Sequence, residues 1–296
     1  MAEEITIPNT EMAKKLENFL KKRFPIGYIS RLFRKNGIRL NGKHAKPDEL
    51  IYPGDRIRLY LPFEEKVKRF AGREDKPPEL GVIFEDKELL VIDKPAGIAV
   101  HEGKAILKRH SMIGILAAKY RGAGLAPRLV HRLDKDTSGV LLVAKNQKLA
   151  EELQNCFETG NVAKEYLCLV AGRLPQNEGV VDSPLPGREG KPVRSVTKFK
   201  VERRFSQTTL ARVRIDTGRM HQIRLHFAKL GYPIVMDDQH GDFAFNKRFR
   251  KQFGLKRQFL HAEKLQLFYG GKQRDWTAPL PEELDKTLRL LSAQVS

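Results

Sequence analysis

Apolar residues recur every three to four positions in some stretches of this chain and every second position in others, and the two periods predict helices and strands. Residues 11–22 carry Met12, Leu16, Phe19 and Leu20 on one helical face. A second helix is expected at 28–35, with Ile29, Leu32 and Phe33 inward, Arg31, Arg34 and Lys35 outward, and Gly37 at its C-terminal cap. Ile38 to Leu40 reads as a strand entering a tight Asn41-Gly42 turn, with Arg39 and Lys43 beside it. Residues 55–61 alternate as a strand. Together they predict a small α+β module at 11–62.

Residues 63–79 are dense in charge and contain the adjacent prolines Pro77 and Pro78, which predicts a linker. A second domain is expected over 80–296. Its strand candidates are 81–84, 89–92, 129–134, 140–144, 165–170, 196–203 and 209–216, and its helices 111–120, 147–159 and 219–230. In the last helix Met220, Ile223, Phe227 and Leu230 form an apolar stripe. Strands outnumber helices without alternating with them, which predicts an α+β domain with a mixed, largely antiparallel sheet rather than a Rossmann layout.

Charge narrows the partners. Fifty-five Lys+Arg against 36 Asp+Glu among 296 residues give a formal charge of +19. Such an excess points to a polyanion, and nucleic acid is the first candidate. A membrane surface fits less well, because no long basic amphipathic helix stands opposite a Trp/Phe/Leu face. The acidic start of the chain lacks an apolar signal region, and no apolar run reaches the length of a membrane span. Two cysteines, Cys156 and Cys168, make neither a disulfide framework nor a zinc knuckle. The expectation is a cytoplasmic monomer that binds RNA and no membrane.

Three polar clusters stand in apolar surroundings. In Leu129 to Gly139, an extended 129–134 would put Arg132 and Asp134 on one side, two residues apart, ahead of a buried strand at 140–144. Asp134 is then either poised over a cleft or a cap of the Asp-Thr-Ser-Gly turn. In Asp216 to His226, Arg224 follows Ile223 at the edge of the apolar stripe, where an arginine either enters a cleft or snorkels to solvent. In Lys164 to Val170, Tyr166 shares a strand face with Cys168, and a lone tyrosine in a strand is usually a core residue. Other signals fail: His221 and His226 are five apart, not the four of a zinc helix, and no Walker loop or nucleophile elbow occurs. No cofactor or metal is called for. The Asp-Thr-(Ser)-Gly turns at Asp136 and Asp216 are those of an aspartic protease pair, but the basic sequence around each counts against a shared-proton dyad.

His131-Arg-Leu-Asp-Lys-Asp-Thr-Ser-Gly139 resembles the signature of the RluA family of pseudouridine synthases. Val91 to Gly97 with His101, Lys164 to Tyr166, Thr217 to His226, Gly231 to Ile234 and Leu260 to Ala262 through Ala278 to Pro281 follow in the family's order. Arg39 to Lys43 and Pro53 to Asp55 resemble the turns of an S4 RNA-binding domain. Asp237 to Asp242 resembles the type that modifies large-subunit ribosomal RNA. Met220 departs from the small hydroxyl residue of the family, and 102–110 resemble nothing specific.

The resemblance implies a pseudouridine synthase fold and isomerisation of uridine without cofactor or metal. It implies Asp134 as nucleophile, Arg224 as its ion-pair partner, Tyr166 stacked on the base and Arg132 filling the space of the flipped nucleotide. Arg31, Arg34, Lys35, Arg39 and Lys43 of the S4-like module would hold phosphates. A non-catalytic S4-type RNA-binding protein is the alternative; it accounts for the charge and leaves some two hundred residues without a purpose. A glycosidase would need a second carboxylate as acid, where the resemblance supplies Arg132, Tyr166 and Arg224.

Overall fold

The computed structural model describes residues 3–8, 13–21, 23–24, 29, 32–34, 36–60, 80–101, 111–187 and 191–294. Met12, Arg31, Lys35 and the stretches 63–79 and 102–110 lie outside the described residues. The chain divides into two compact units, Met1–Pro78 and Glu79–Ser296.

The first unit comprises β1 (Glu3–Thr6), β2 (Lys14–Lys15), α1 (Leu16–Lys21), β3 (Ile38–Leu40), β4 (Lys43–His44), β5 (Leu50–Ile51) and β6 (Arg56–Leu59). The sheet runs β1-β6-β3-β4, all antiparallel. Leu16, Phe19, Leu20, Ile29 and Leu32 pack on Ile38 and Ile57 as their periodicity predicts. Two details differ. The helix expected from residue 11 begins at Leu16, because Lys14–Lys15 pair with β5. The left-handed residue closing the turn after Leu32 is Asn36 (φ 52°), not Gly37; the Gly37 N–H closes the cap on the Leu32 carbonyl at 2.8 Å. Asn41 and Gly42 both take positive φ, 49° and 83°, as a two-residue hairpin turn requires.

The second unit contains β7 (Gly81–Glu85), β8 (Leu89–Lys94), α2 (Met112–Tyr120), β9 (Arg128–Leu129), β10 (Ser138–Ala144), α3 (Gln147–Glu158), β11 (Val162–Ala171), β12 (Glu178–Asp182), β13 (Leu185–Pro186) and β14 (Pro192–Val193). It continues with β15 (Val196–Arg204), β16 (Thr208–Ile215), α4 (Gln222–Lys229), α5 (Phe243–Phe253), β17 (Leu260–Tyr269), β18 (Lys272–Thr277) and α6 (Glu282–Ala293). The large sheet runs β12-β15-β16-β11-β17-β10-β8-β7, with β18 on β17 and β9 on β10. Its pairs are antiparallel except β10 with β17, so the α+β expectation is met.

Both faces of the sheet are covered around β10, which explains why every residue of β10 is buried. Alternate residues divide between two cores. Leu90, Ile92, Leu141 and Val143 meet Met112 and Leu116 of α2, while Leu89, Val91, Val140 and Leu142 meet Leu149 and Leu153 of α3. Ile223 and Phe227 of α4 enter the first core, and Phe249 of α5 with Leu284 and Leu291 of α6 pack under β11 in a third. The parallel register of β10 and β17 brings Gly139 against Ala262. Gly139 has φ +117°, and a Cβ there would overlap the Ala262 backbone, so only glycine fits.

Two expectations about the site elements need correction. The strand predicted over 129–134 ends at Leu129; its polar residues form a loop. In α4, His221 takes a left-handed conformation (φ 54°), so the helix begins at Gln222. Met220 precedes that turn and is 60% exposed, and Leu230 caps the other end of the helix at 41% exposure, so neither joins the stripe assigned to them.

Candidate active site

The loop between β9 and β10 has no ladder to satisfy its backbone, and surrounding side chains do so instead. Lys94, fully buried at the end of β8, donates to the carbonyls of Pro95, Ile98 and Lys135 at 2.9, 2.9 and 3.1 Å. Burial pushes Lys94 down to about 7, but three carbonyl acceptors need three N–H donors, which only the ammonium form supplies. The Gly97 N–H reaches the same Lys135 carbonyl at 2.9 Å. Arg257 donates to the Asp136 carbonyl at 3.2 Å and to Ser138 Oγ at 3.0 Å, and Gln258 to Thr137 Oγ1 at 2.7 Å. At the loop's start, His131 Nε2 accepts from the Leu142 N–H at 2.9 Å and the ring stacks on Phe157. Contacts from both sides of the loop therefore hold Asp134.

Asp134 is not a turn cap. Its Oδ2 accepts from Arg224 Nη1 at 3.0 Å, and among the described residues Oδ1 makes no hydrogen bond. Arg224 does not snorkel; its side chain is 4% exposed. Its other edge is held by Asp237, with Nε to Oδ2 at 2.6 Å and Nη2 to Oδ1 at 2.7 Å. Burial alone would lower Arg224, but the hydrogen bonds and charges of Asp237 and Asp134 outweigh it and hold it above its ordinary value. Burial alone would raise Asp237; Arg224 and the N–H groups of His240 and Gln239 outweigh it and hold Asp237 charged. Asp237 is in turn fixed by Asn246 of α5, which donates to the Asp237 carbonyl at 2.9 Å and accepts from the Met236 N–H at 2.8 Å.

Asp134 lines a pocket of about 450 Å³ with Arg132, Tyr166, Arg219, Met220 and His221. Leu133, Ile215, Ile223 and Leu260 complete an apolar wall, suited to a flat ring. Tyr166 is 8% exposed, and burial, then the charge of Asp134, raise its phenol well above the ordinary value. It is a neutral hydroxyl at neutral pH. Arg132 is exposed and among the described residues has no side-chain partner, so its guanidinium is free to move.

The structure thus gathers Arg132, Asp134, Tyr166 and Arg224 around one cavity. Arg34, Arg39 and Lys43 lie exposed in the first unit, with Arg39 5.2 Å from the centroid of the Tyr60 ring. Sequence reasoning missed Asp237 as the second partner of Arg224, although an arginine beside an apolar stripe signals a need for carboxylates. It also missed His221, whose Nδ1 lies 3.0 Å from His240 Nε2 and whose Nε2 is 3.9 Å from Asp134 Oδ1. Burial, more than any neighbouring charge, lowers His221 below its ordinary value, so it is a neutral ring facing the carboxylate. Among the described residues no group of three or more His, Cys, Asp or Glu is placed to hold a metal ion.

The family model for RNA pseudouridylate synthase matches residues 88–229, a span that includes the Asp134 loop, Tyr166 and Arg224. The chain is 35% identical to the ribosomal large subunit pseudouridine synthase C of Salmonella typhi, over 98% of this chain and 97% of that protein. It is 35% identical to the protein of the same name from Escherichia coli K12, covering 97% and 96%. The solved structure of human RNA pseudouridylate synthase domain containing 4 superposes with a TM-score of 0.61 at 28% identity, covering 72% of this chain and 93% of that one.

Proposed function

The chain belongs to the RNA pseudouridylate synthase family and is an RNA pseudouridine synthase, and we propose that it isomerises specific uridines of large-subunit ribosomal RNA in the cytoplasm, with Asp134 as the nucleophile. The observation that carries the assignment of Asp134 is its setting: a charge-paired carboxylate with one oxygen free, on a tethered loop, in a pocket walled by Tyr166 and apolar side chains. The substrate class rests on the names of the two bacterial relatives and on the net charge of +19.

The reaction breaks the bond between uracil N1 and ribose C1′, turns the base, and joins C5 to C1′; the proton lost from C5 is balanced by one gained at N1. It is an isomerisation, so no electrons or water are consumed. The uridine first leaves its stack and enters the pocket. Arg132, exposed at the mouth, takes the vacated place in the helix. Asp134 engages C1′ through Oδ1 while Arg224 holds Oδ2 by a hydrogen bond at 3.0 Å. Tyr166 packs on the uracil, and its neutral hydroxyl stands ready to take part in the proton removal at C5. The first unit, with Arg34, Arg39 and Lys43 outward, serves as an S4-like phosphate-binding module over residues 11–62. The protein acts as a monomer.

The test is carbodiimide sequencing of large-subunit ribosomal RNA from a strain lacking this protein. Pseudouridine stops vanish at discrete positions and return with the wild-type chain but not with Asp134→Asn. An unaltered modification pattern in the deletion strain sinks the substrate assignment.

A further inference from the structure

Helix α5, Phe-Ala-Phe-Asn-Lys-Arg-Phe-Arg-Lys-Gln-Phe, holds four cations and no acid in 11 residues. Asn246 and Phe249 are buried, while Phe243, Lys247, Arg248, Arg250 and Lys251 are exposed. Phe243, Lys247, Arg250 and Lys251 stand at i, i+4, i+7 and i+8, within a sector of about 100° opposite Phe245 and Phe249, which pack into the core. Among the described residues none of the four cations makes a side-chain hydrogen bond or ion pair. Exposed arginines elsewhere in the unit are paired in some cases, as Arg194 with Asp182 at 2.7 Å and Arg214 with Glu165 at 2.8 Å, and unpaired among the described residues in others, as Arg132 and Arg219; what distinguishes α5 is that Lys247, Arg248, Arg250 and Lys251 fall together on one helix with no acid among them. The helix dipole favours Arg250 and Lys251 in the last turn, but it accounts for neither Lys247 and Arg248 in mid-helix nor a phenylalanine at 63% exposure.

The stripe adjoins the pocket. His240 meets His221 on the pocket wall at 3.0 Å, and Phe243 follows His240 by three residues, at most ~11 Å of backbone. Asp242 caps α5 by accepting from the Phe245 N–H at 2.9 Å, and Asn246 in the first turn donates to the Asp237 carbonyl at 2.9 Å, so the N-terminal end of the helix lies at the site that Asp237 anchors. On the pocket side, Arg219 and Met220 are exposed as well. An aromatic ring nearest the pocket, then a run of unpaired cations, is the order in which a single strand presents a flanking base and then its phosphates.

We infer that the outer face of α5 docks the RNA strand flanking the target uridine, with the adjacent base stacked on Phe243 and successive phosphates on Lys247, Arg250 and Lys251. The inference rests on the RNA-isomerase reading above and adds to it the surface that the strand follows outside the pocket.

The test uses the full chain and a large-subunit ribosomal RNA transcript. Affinity is measured by filter binding between 50 and 200 mM KCl, and turnover is measured separately. Lys247→Gln/Arg250→Gln/Lys251→Gln should flatten the slope of log affinity against log salt by about 2, some 0.7 for each lost single-strand phosphate contact. KM should rise ~10-fold, with the single-turnover rate at saturating RNA unchanged. Lys247→Gln alone, in mid-helix where it leaves the last turn intact, should flatten the slope by ~0.7. Phe243→Ala should weaken binding ~10-fold without changing the slope. Unchanged slope and KM in the triple variant overturn the inference. So does loss of binding to phosphatidylserine vesicles with RNA affinity retained, which would assign the face to a membrane. A wild type that binds the transcript but forms no pseudouridine sinks the proposed substrate instead, and the salt slopes still decide the fate of the docking surface.

Discussion

Asp237 holds Arg224 through two hydrogen bonds, at 2.6 and 2.7 Å, and both side chains are almost excluded from solvent. Arg224 thus bridges two carboxylates, with Asp237 fixing its plane and only Nη1 reaching Asp134. Removing one member of such a buried pair leaves an uncompensated charge and costs about 3–5 kcal/mol. Asp237→Asn is expected to lower stability by that order in urea unfolding. Combining it with Arg224→Met should cost less than the sum of the two, because each single change already breaks the pair. Simple additivity would show that the two are not energetically linked.

Asp134→Asn keeps shape and removes charge at a residue that caps nothing in its own loop. Pseudouridine formation should fall by at least ~10³-fold, while RNA affinity is retained and stability stays within about 1 kcal/mol of wild type. Collapse of the fold in this variant would give the carboxylate a structural role instead.

Arg224→Lys retains one positive charge but cannot donate from three nitrogens in a plane to two carboxylates. Asp134 would lose its fixed orientation, so kcat should drop ~10²-fold or more while RNA affinity changes little. Equal losses in affinity and rate would place Arg224 in RNA binding rather than in holding Asp134.

Four histidines, His131, His221, His226 and His261, lie below their ordinary value of 6.5, each chiefly because burial disfavours the cation. His131 is pushed down to about 3. In the unfolded chain these rings protonate near pH 6.5 while the folded ones stay neutral. The unfolded state then binds more protons, and stability must rise with pH. The urea midpoint should therefore fall from about pH 7 to about pH 5, above the range where carboxylates titrate. His131→Gln should make the fall shallower. A midpoint that stays flat over this interval would mean the rings are charged in the fold.

If the first unit binds the phosphate backbone, a chain that starts at Glu79 should bind ribosomal RNA more weakly and with a shallower salt dependence. The second unit has its own cores and should melt cooperatively without the first. A salt slope identical to that of the full chain would remove the module from RNA recognition.

Periodicity alone determined much of this protein. The continuous apolar runs of β8 and β10, the alternation in β15 and the apolar face of α3 are local properties, visible because a strand covered on both faces, a strand covered on one face and a helix covered on one face each leave their own period in the sequence. Motif residues also marked Arg132, Asp134, Tyr166 and Arg224 before any geometry was known. Tertiary structure decided what those residues do. Strands β12, β17 and β18 and helices α5 and α6 drew no expectation from the chain pattern. Strands owe their place to partners far away in sequence, as β17 does between β11 and β10. The loop around Asp134 is held by Lys94 and Arg257, which precede and follow it by some forty and a hundred and twenty residues. A sequence shows that a buried guanidinium needs a carboxylate. Only the packing of α4 against the turn before α5 chose Asp237 as well as Asp134, because a charge takes its partners from space and not from position along the chain.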